Sequence, residues 1–594
     1  MDDMTPAARL AALRGWIAAA GLDGFLVSTA DAHQSEDPPA HDRALAWLTG
    51  FTGSLGQALV TAGRAALFVD GRYRVQAARQ VEGALWETAH LHDLPPGRWL
   101  AAAGARGLRL GFDPMLWTLD QTRALREALG PAGIALVPVS ADPFAAIWPD
   151  RPGPPLGPVR EMPEALAGEA GGAKRGRLRA RLAELGLDLW VETRPDELAW
   201  AFNIRGSDVP MHPAPLSFAL FPAEGPAEWF VAPAKHAALA LPEDIRPAPP
   251  EALLPRLAAL APGARVGLDP AFAPEALAAA VRAAGGTVVE TPDPIMPMKA
   301  RKTPAELAGY REAHLADGTA WADFLAWLAA EVPARAAAGR PVTECEAAAR
   351  ILACRRSQPG FLEPSFAAIS AAGANAAMCH YAPSPEHDAP ILPDALYLLD
   401  SGGQYRGGTT DATRTVAFGP APAAIREPAT AVLRGFLALS MARFPVGTFP
   451  HQLDALARAP LWALGLDYDH GTGHGVGHNL LVHEHPHRFG KRANPFALEP
   501  GNVMTIEPGY YAADAFGLRV ENQVELVAAG EGYAEMRPLT LAPIDLSLYD
   551  LAALLPAERR WLDAYHARVR AALEPLVRPQ TRGWLVAATR PIGD

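Results

Sequence analysis

Apolar residues recur at helical spacing in Leu10, Leu13, Trp16 and Ile17, directly behind Thr5-Pro6, a capping side chain followed by proline at the first helical position. Gly21-Leu22-Asp23 closes that helix, and Phe25-Leu26-Val27 reads as a buried strand. Leu45-Ala46-Trp47-Leu48 and the turn-rich Gly50-Phe51-Thr52-Gly53-Ser54 follow. The same succession returns later. Helical spacing from Leu178 to Leu185 leads into Gly186-Leu187-Asp188, the strand Leu189-Trp190-Val191, then Leu198-Ala199-Trp200 and Asn203-Ile204-Arg205-Gly206. This repetition predicts two related α/β domains in tandem.

Pro149 to Pro158 is dense in proline and glycine and predicts a linker between the two repeats. A second proline-marked junction spans Asp293 to Lys302. Behind it, Thr303-Pro304-Ala305-Glu306 is a capping box with proline in the first turn, the start of a long helix into a third domain. Leu555 to Leu573 reads as a helical C-terminal extension. The expected domains are residues 1–152, 153–298 and 299–594, the last including that extension.

A chain of 594 residues exceeds one hydrophobic core, and 49% hydrophobic with 20% charged residues is an ordinary globular balance. The net charge of −12 opposes non-specific binding to nucleic acid or anionic membranes. Cys345, Cys354 and Cys379 are too few for a disulfide framework and lack the CxxC spacing of a zinc site, which fits a reducing compartment. Met1-Asp2-Asp3 is acidic, no signal-peptide pattern follows, and no apolar run reaches a membrane span. The expectation is a soluble, cytoplasmic protein.

Five segments of the third domain carry candidate chemistry. Leu396-Tyr397-Leu398-Leu399-Asp400-Ser401-Gly402-Gly403 is an apolar strand ending in an acid and a glycine turn. Thr409-Thr410-Asp411-Ala412-Thr413-Arg414-Thr415 has the β-branched content of a return strand, and a hairpin would bring Asp411 to Asp400 in a register left open. His470-Gly471-Thr472-Gly473-His474-Gly475-Val476-Gly477-His478, followed by His483, is a glycine-rich stretch whose backbone can approach a site closely. Met504-Thr505-Ile506-Glu507-Pro508-Gly509 places an acid at a strand end. In Leu518-Arg519-Val520-Glu521-Asn522, period two puts Arg519 and Glu521 on one face of a strand.

An acid beside a glycine turn is usually only turn chemistry. Four carboxylates and an imidazole from one domain, set among apolar strands, are another matter. Buried carboxylates repel one another unless paired or metal-bound, and two divalent cations relieve that repulsion. Carboxylate-dominated ligation favours manganese, cobalt or iron over a thiolate-type zinc site. Two close metals can clamp both sides of a carbonyl addition.

In order, Asp400, Asp411, His474, Glu507 and Glu521 resemble the ligand set of the pita-bread metallopeptidases, the family of methionine aminopeptidases, prolidases and Xaa-Pro aminopeptidases. Further stretches resemble the long three-domain aminopeptidase P group: Asp31-Ala32-His33-Gln34-Ser35-Glu36, Asp70-Gly71-Arg72-Tyr73, Asn203 to Val209, Phe361-Leu362-Glu363-Pro364-Ser365-Phe366, His380-Tyr381-Ala382-Pro383 and Pro538 to Ile544. The resemblance implies two tandem creatinase-like α/β domains followed by a pita-bread catalytic domain. It implies a metallo-exopeptidase that releases the residue preceding proline, with two divalent metals, Mn2+ first and Co2+, Fe2+ or Zn2+ as alternatives. By the same resemblance Asp411 and Glu521 bridge the metals, Asp400 completes one, and His474 and Glu507 complete the other. Glu507 takes the proton of the attacking water, His380 faces the scissile carbonyl, His470 and His483 line the proline pocket, with His483 also counted as catalytic alongside His380 and Glu507, and Arg519 holds Asp400. Arg72 reads equally as a substrate contact and as an anchor of the turn after Val69. His478, His485 and His487 have no implied role and are expected in loops or at the surface. The implied partners are peptides with proline second and a second copy of the chain, a homodimer.

The nearest alternative is a prolidase restricted to Xaa-Pro dipeptides, which resembles a shorter chain without the duplicated front half. Creatinase and the non-catalytic peptide- or histone-binding relatives share the fold without the metal ligands, and the five intact ligands argue against both.

Overall fold

A computed structural model of the chain describes residues 4–419 and 421–592, so the acidic Met1-Asp2-Asp3 lies outside the described residues. The chain divides into two compact units, Met1–Met162 with Ala170–Ile295, and Pro163–Glu169 with Met296–Asp594.

The first unit contains the repeat as two six-stranded sheets of the same strand order. One runs Glu87–His90, Ala65–Val69, Gly56–Thr61, Gly24–Ser28, Arg109–Phe112, Ala135–Pro138. The other runs Ile245–Ala248, Ala227–Phe230, Phe218–Pro222, Leu189–Glu192, Arg265–Leu268, Thr287–Glu290. In both, the first strand of the repeat is antiparallel to one neighbour and parallel to the other. The repeated Gly-Leu-Asp explains how each sheet starts. Gly21 and Gly186 take positive φ (65° and 63°), which ends the preceding helix at low steric cost. Leu22 and Leu187 are buried, and Asp23 and Asp188 each accept the backbone amide of the neighbouring parallel strand, from Arg109 and Arg265, both at 2.8 Å. The proline-rich stretch after Pro149 is irregular, as its composition predicts.

The second unit starts at the expected capping box. Thr303 Oγ1 accepts from the Glu306 amide (3.2 Å), Glu306 Oε2 accepts from the Thr303 amide (2.8 Å), and the helix Pro304–Ala337 follows. The proline-marked junction before it contains the short helix Ile295–Ala300. Two sheets position the site. In the three-stranded one, Tyr397–Asp400 lies between Ile369–Ala372 and Thr413–Val416. The six-stranded one runs Arg443–Pro445, Tyr533–Pro538, Asn522–Ala528, Val503–Ile506, Gly473–Gly475, Glu484–Phe489. Phe436, Leu437, Met504, Ile506, Leu518 and Val524 share one core, and the C-terminal helix Pro556–Leu573 adds Leu562, Tyr565 and Val569 to it. Among the described residues no helix is long and apolar enough to cross a membrane.

Candidate metal centre

Tyr397–Asp400 is buried along its whole length. Tyr397 and Leu399 pack with Trp321 and Phe324 on one side, and Leu398 packs with Ala371 and Ala376 on the other. Period two then puts Asp400 on the Leu398 side. Asp400 pairs with Thr413, so the return strand begins two residues after Asp411, and Asp411 stands on the approach to it. The excursion between the two acids is stitched shut. The Ser401 amide donates to the Ala412 carbonyl (3.1 Å), the Thr410 amide to Gly403 (2.9 Å), and Ser365 Oγ to the Thr410 carbonyl (2.8 Å). Behind it the buried Arg355 donates to Asp317 Oδ1 (2.6 Å) and to the Ser401 carbonyl (3.0 Å).

His474 lies on Gly473–Gly475, whose approach to the next strand requires glycine: a Cβ on Gly473 would fall 2.0 Å from the Thr505 carbonyl oxygen. The His474 Nδ1 is 2.8 Å from the Gly475 carbonyl, which can only accept, so Nδ1 carries a proton. That leaves Nε2 facing the acids, 3.4 Å from Asp411 Oδ2 and 3.6 Å from Glu507 Oε1. Glu507 follows the strand Val503–Ile506 and is fixed by its amide, which donates to the Thr472 carbonyl (2.7 Å).

Arg519 and Glu521 do not share one strand, contrary to the period-two reading. Phe516–Arg519 pairs with Gly509–Ala512 in a two-stranded ribbon, whereas Asn522–Ala528 belongs to the six-stranded sheet. The chain changes sheets at Val520-Glu521. The two side chains nevertheless meet at one hydroxyl: Arg519 Nε donates to Thr413 Oγ1 (3.0 Å), which donates to Glu521 Oε2 (2.7 Å). Arg519 Nη2 donates to Asp400 Oδ2 (2.6 Å), and Nη1 donates to the Tyr511 hydroxyl (2.6 Å).

Asp411, His474 and Glu521 each offer a ligand atom within 4.8 Å of the others. Asp400 Oδ1 is buried without a hydrogen-bond partner among the described residues. Burial first, then Asp400 and Glu507, pushes the Asp411 carboxyl well above the ordinary carboxylate range. Burial and then Glu521 do the same to Glu507; burial and then Asp411 do so to Glu521. A cluster of acids this unfavourable by itself, with one orphaned oxygen and an imidazole whose lone pair is aimed inward, fits a pair of divalent cations.

The expected histidines gather beside it. The His483 ring lies 4.3 Å from that of His474, centroid to centroid, at 81°. His470 Nδ1 lies 2.7 Å from the Gly471 carbonyl and its Nε2 2.9 Å from the Tyr511 hydroxyl. Burial first, then Arg519, holds the His470 imidazole well below its usual value, hence neutral. His380 is half-buried in the loop after Gly373–Ala377 and lies close enough to His470 to oppose its protonation. Arg72 lies in the first unit, its guanidinium bonded to Asp70 (Nε to Oδ2 3.0 Å) and 3.7 Å from Glu36.

Two histidines expected in loops or at the surface are interior. His478 is 1% exposed, packed on the Tyr310 ring and 3.7 Å from Glu306, because the long helix Pro304–Ala337 covers the glycine-rich stretch. His487 is buried with Nε2 2.9 Å from the Ala497 carbonyl, and burial lowers it to about 4. Half-buried His485 lies between them. Sequence reasoning missed Thr413, Tyr511 and Arg355, which sit in unremarkable strand and helix positions. It also missed Arg414, which donates to the Glu521 and Ala542 carbonyls and to the Tyr565 hydroxyl and so ties the C-terminal helix to the acid cluster.

Residues 308–528 match the model of metallopeptidase family M24, and 532–592 match the C-terminal region of peptidase M24. Residues 9–145 and 150–306 each match a creatinase/prolidase N-terminal domain. The chain is 36% identical to aminopeptidase P2 of Arabidopsis thaliana over 96% of this chain and 86% of that one. It is 35% identical to a probable Xaa-Pro aminopeptidase P of Pyricularia oryzae over the full length of both. Among solved structures, the X-prolyl aminopeptidase of Caenorhabditis elegans, described as a cytosolic enzyme with a di-nuclear active site, superposes with a TM-score of 0.92 at 32% identity, covering 99% of this chain and 100% of that one.

Proposed function

The chain belongs to metallopeptidase family M24, with two creatinase-type N-terminal domains ahead of a pita-bread catalytic domain, and we propose the following division of labour for it as a metallo-exopeptidase of peptides with proline second. The enzyme is a hydrolase that uses two metal ions and releases the residue before proline. The observation that carries this reading is the convergence of Asp411, His474 and Glu521 next to the orphaned Asp400 Oδ1, in a chain that matches aminopeptidases P from end to end.

Asp411 and Glu521 would bridge the cations, Asp400 would complete one, and His474 with Glu507 the other. When bound, the two cations supply Lewis acidity and a nucleophilic water near neutral pH. Glu507 takes the proton of the attacking water at a carboxylate oxygen; its side chain, 17% exposed, is the most accessible of the four acids. Arg519 keeps Asp400 and, through Thr413, Glu521 in fixed orientation. His380 donates to the scissile carbonyl oxygen as charge grows there. An Xaa-Pro bond has no N–H and a fixed φ, so recognition must come from ring contacts. Neutral His470, together with His483, supplies flat faces for them. For Arg72 the resemblance supports a substrate contact, and its bond to Asp70 supports the alternative role of anchoring the turn after Val69.

We further propose manganese as the metal, since carboxylates dominate the ligands, a homodimer, cytoplasmic residence, and domain boundaries near residues 152 and 298. A panel of X-Pro-Y, X-Ala-Y and X-Pro peptides, assayed after chelation and reconstitution with single metals, tests the reading. Cleavage of X-Pro-Y between X and Pro, restored by metal, is expected. Strict preference for X-Pro dipeptides would make the enzyme a prolidase.

A further inference from the structure

Glu344 opens the helix Glu344–Arg356, yet its side chain does not serve that helix. The helix cap comes from Thr343, whose Oγ1 accepts from the Glu346 amide. Glu344 is fully buried, 0% exposed, and its carboxylate collects donors from elsewhere. These are the Ala372 amide (2.6 Å), Asn375 Nδ2 (3.1 Å), the Tyr381 hydroxyl (2.7 Å) and the Ala389 amide (3.4 Å). The donors belong to the end of the strand Ile369–Ala372, to the turn Gly373–Ala377, and to the loop beyond it. Two more bonds close the clamp. The Glu344 amide donates to the Ala389 carbonyl (3.0 Å), and the Cys345 amide donates to Asp388 Oδ1 (2.9 Å).

Residues 372–389 are thus gathered on one buried carboxylate at both ends and in the middle. The middle pin is Tyr381, the neighbour of His380. On the other side of His380, the Cys379 carbonyl lies 3.5 Å from Arg519 Nη1, on the guanidinium that bonds Asp400. His380 therefore stands between two tethers, one running to Glu344 and one to the acid cluster. A buried carboxylate is tolerated only when its donors are present, so the cluster is self-enforcing: the charge orders the loop, and the loop's donors stabilise the charge.

We propose that Glu344 and Tyr381 are positioning residues for the reaction, which fix the loop so that His380 meets the scissile carbonyl oxygen; this rests on the role assigned to His380 above. A group held by such tethers loses rate when it drifts by a fraction of an ångström, while substrate affinity changes little.

The test uses the full-length, metal-reconstituted enzyme on an X-Pro-Y peptide. Tyr381→Phe removes one hydroxyl and keeps the ring, so it is the variant that should fold where Glu344→Gln fails. Its kcat is expected to fall about tenfold, with KM within about twofold of wild type and unchanged metal content. In a His380→Ala background the same substitution should cost nothing more, because nothing is left to position. An undiminished loss in that background, or a wild-type kcat for Tyr381→Phe, overturns the inference. The imidazole resonance of His380, assigned by its disappearance in His380→Ala, gives an answer independent of turnover. It is expected to shift or broaden in Tyr381→Phe, and an unmoved resonance overturns the inference. A wild-type chain that leaves X-Pro-Y intact would instead overturn the proposed function, with the resonance still deciding the tether.

Discussion

Arg519 donates to Oδ2 of Asp400 at 2.6 Å while Oδ1 of the same carboxylate stays buried and unpartnered among the described residues. One oxygen is held and the other is left for a ligand. The same guanidinium reaches Thr413 and Tyr511, so it uses its fork in three directions. Lysine can supply the charge without the fork. Arg519→Lys is therefore expected to lower kcat/KM roughly 10–100-fold and to speed metal loss to a chelator. Activity and metal retention are both measured after timed dialysis; wild-type values for both would remove Arg519 from the metal-holding network.

Asp400 and Glu507 were legible because each ends an apolar run just before a glycine turn, a local pattern, and Asp411 and Glu521 because they lie in strand-like stretches of the same domain. The doubled front half was legible for a similar reason, since Gly-Leu-Asp does the same work twice. Apart from Arg519 on Asp400, which the resemblance implied, what supports the acids was not legible. Thr413 and Arg519 are 106 residues apart, and a threonine in a strand carries no mark of its partner. The single-strand reading of Arg519 and Glu521 failed because period two holds only while a strand stays in one sheet. His478 and His487 were expected in loops or at the surface because the resemblance implied no role for them. Their burial is decided by packing from distant segments, for His478 by Tyr310 on the long helix.

Gly473→Ala should damage the site through the backbone. The added Cβ would lie 2.0 Å from the Thr505 carbonyl oxygen, so the strand carrying His474 must move off its neighbour. Overpacking of this kind costs about 1–3 kcal/mol. A lower urea midpoint and weaker metal retention are expected together. Gly583→Ala is the control. It has open space around it within the helix Pro579–Ala588, and alanine there should be neutral or slightly stabilising. Equal behaviour of the two variants would count against close strand approach at Gly473.

Acid should loosen the anchorage of the C-terminal helix through His566. His566 Nε2 accepts the Ile544 amide (3.1 Å), so the fold needs its lone pair, and burial followed by Arg414 lowers the imidazole from 6.5 to about 4. Asp563 opposes that shift. The folded value lies below the unfolded one, so this contribution is complete above pH 6.5 and is lost as pH falls towards 4. The full loss is about 3 kcal/mol for such a displacement. His487 titrates in the same window and adds to it. Denaturant midpoints at pH 7 and pH 5 should differ less in His566→Gln than in wild type. An unchanged difference would show that His566 does not bind its proton more tightly on unfolding.

His483 can act through its face or through its nitrogens, and the two roles separate on substitution. Its ring stands nearly perpendicular to that of His474, at 81°, and in the proposed role its face meets the proline ring. Phenylalanine keeps that face and removes the nitrogens; alanine removes both. If the face is what matters, His483→Phe should retain kcat/KM on X-Pro-Y within about tenfold of wild type while His483→Ala loses more, chiefly through KM. The loss in the alanine variant should also be smaller for X-Ala-Y, which presents no ring. Equal losses for both variants, carried by kcat, would assign His483 to proton or charge chemistry and leave proline recognition to His470.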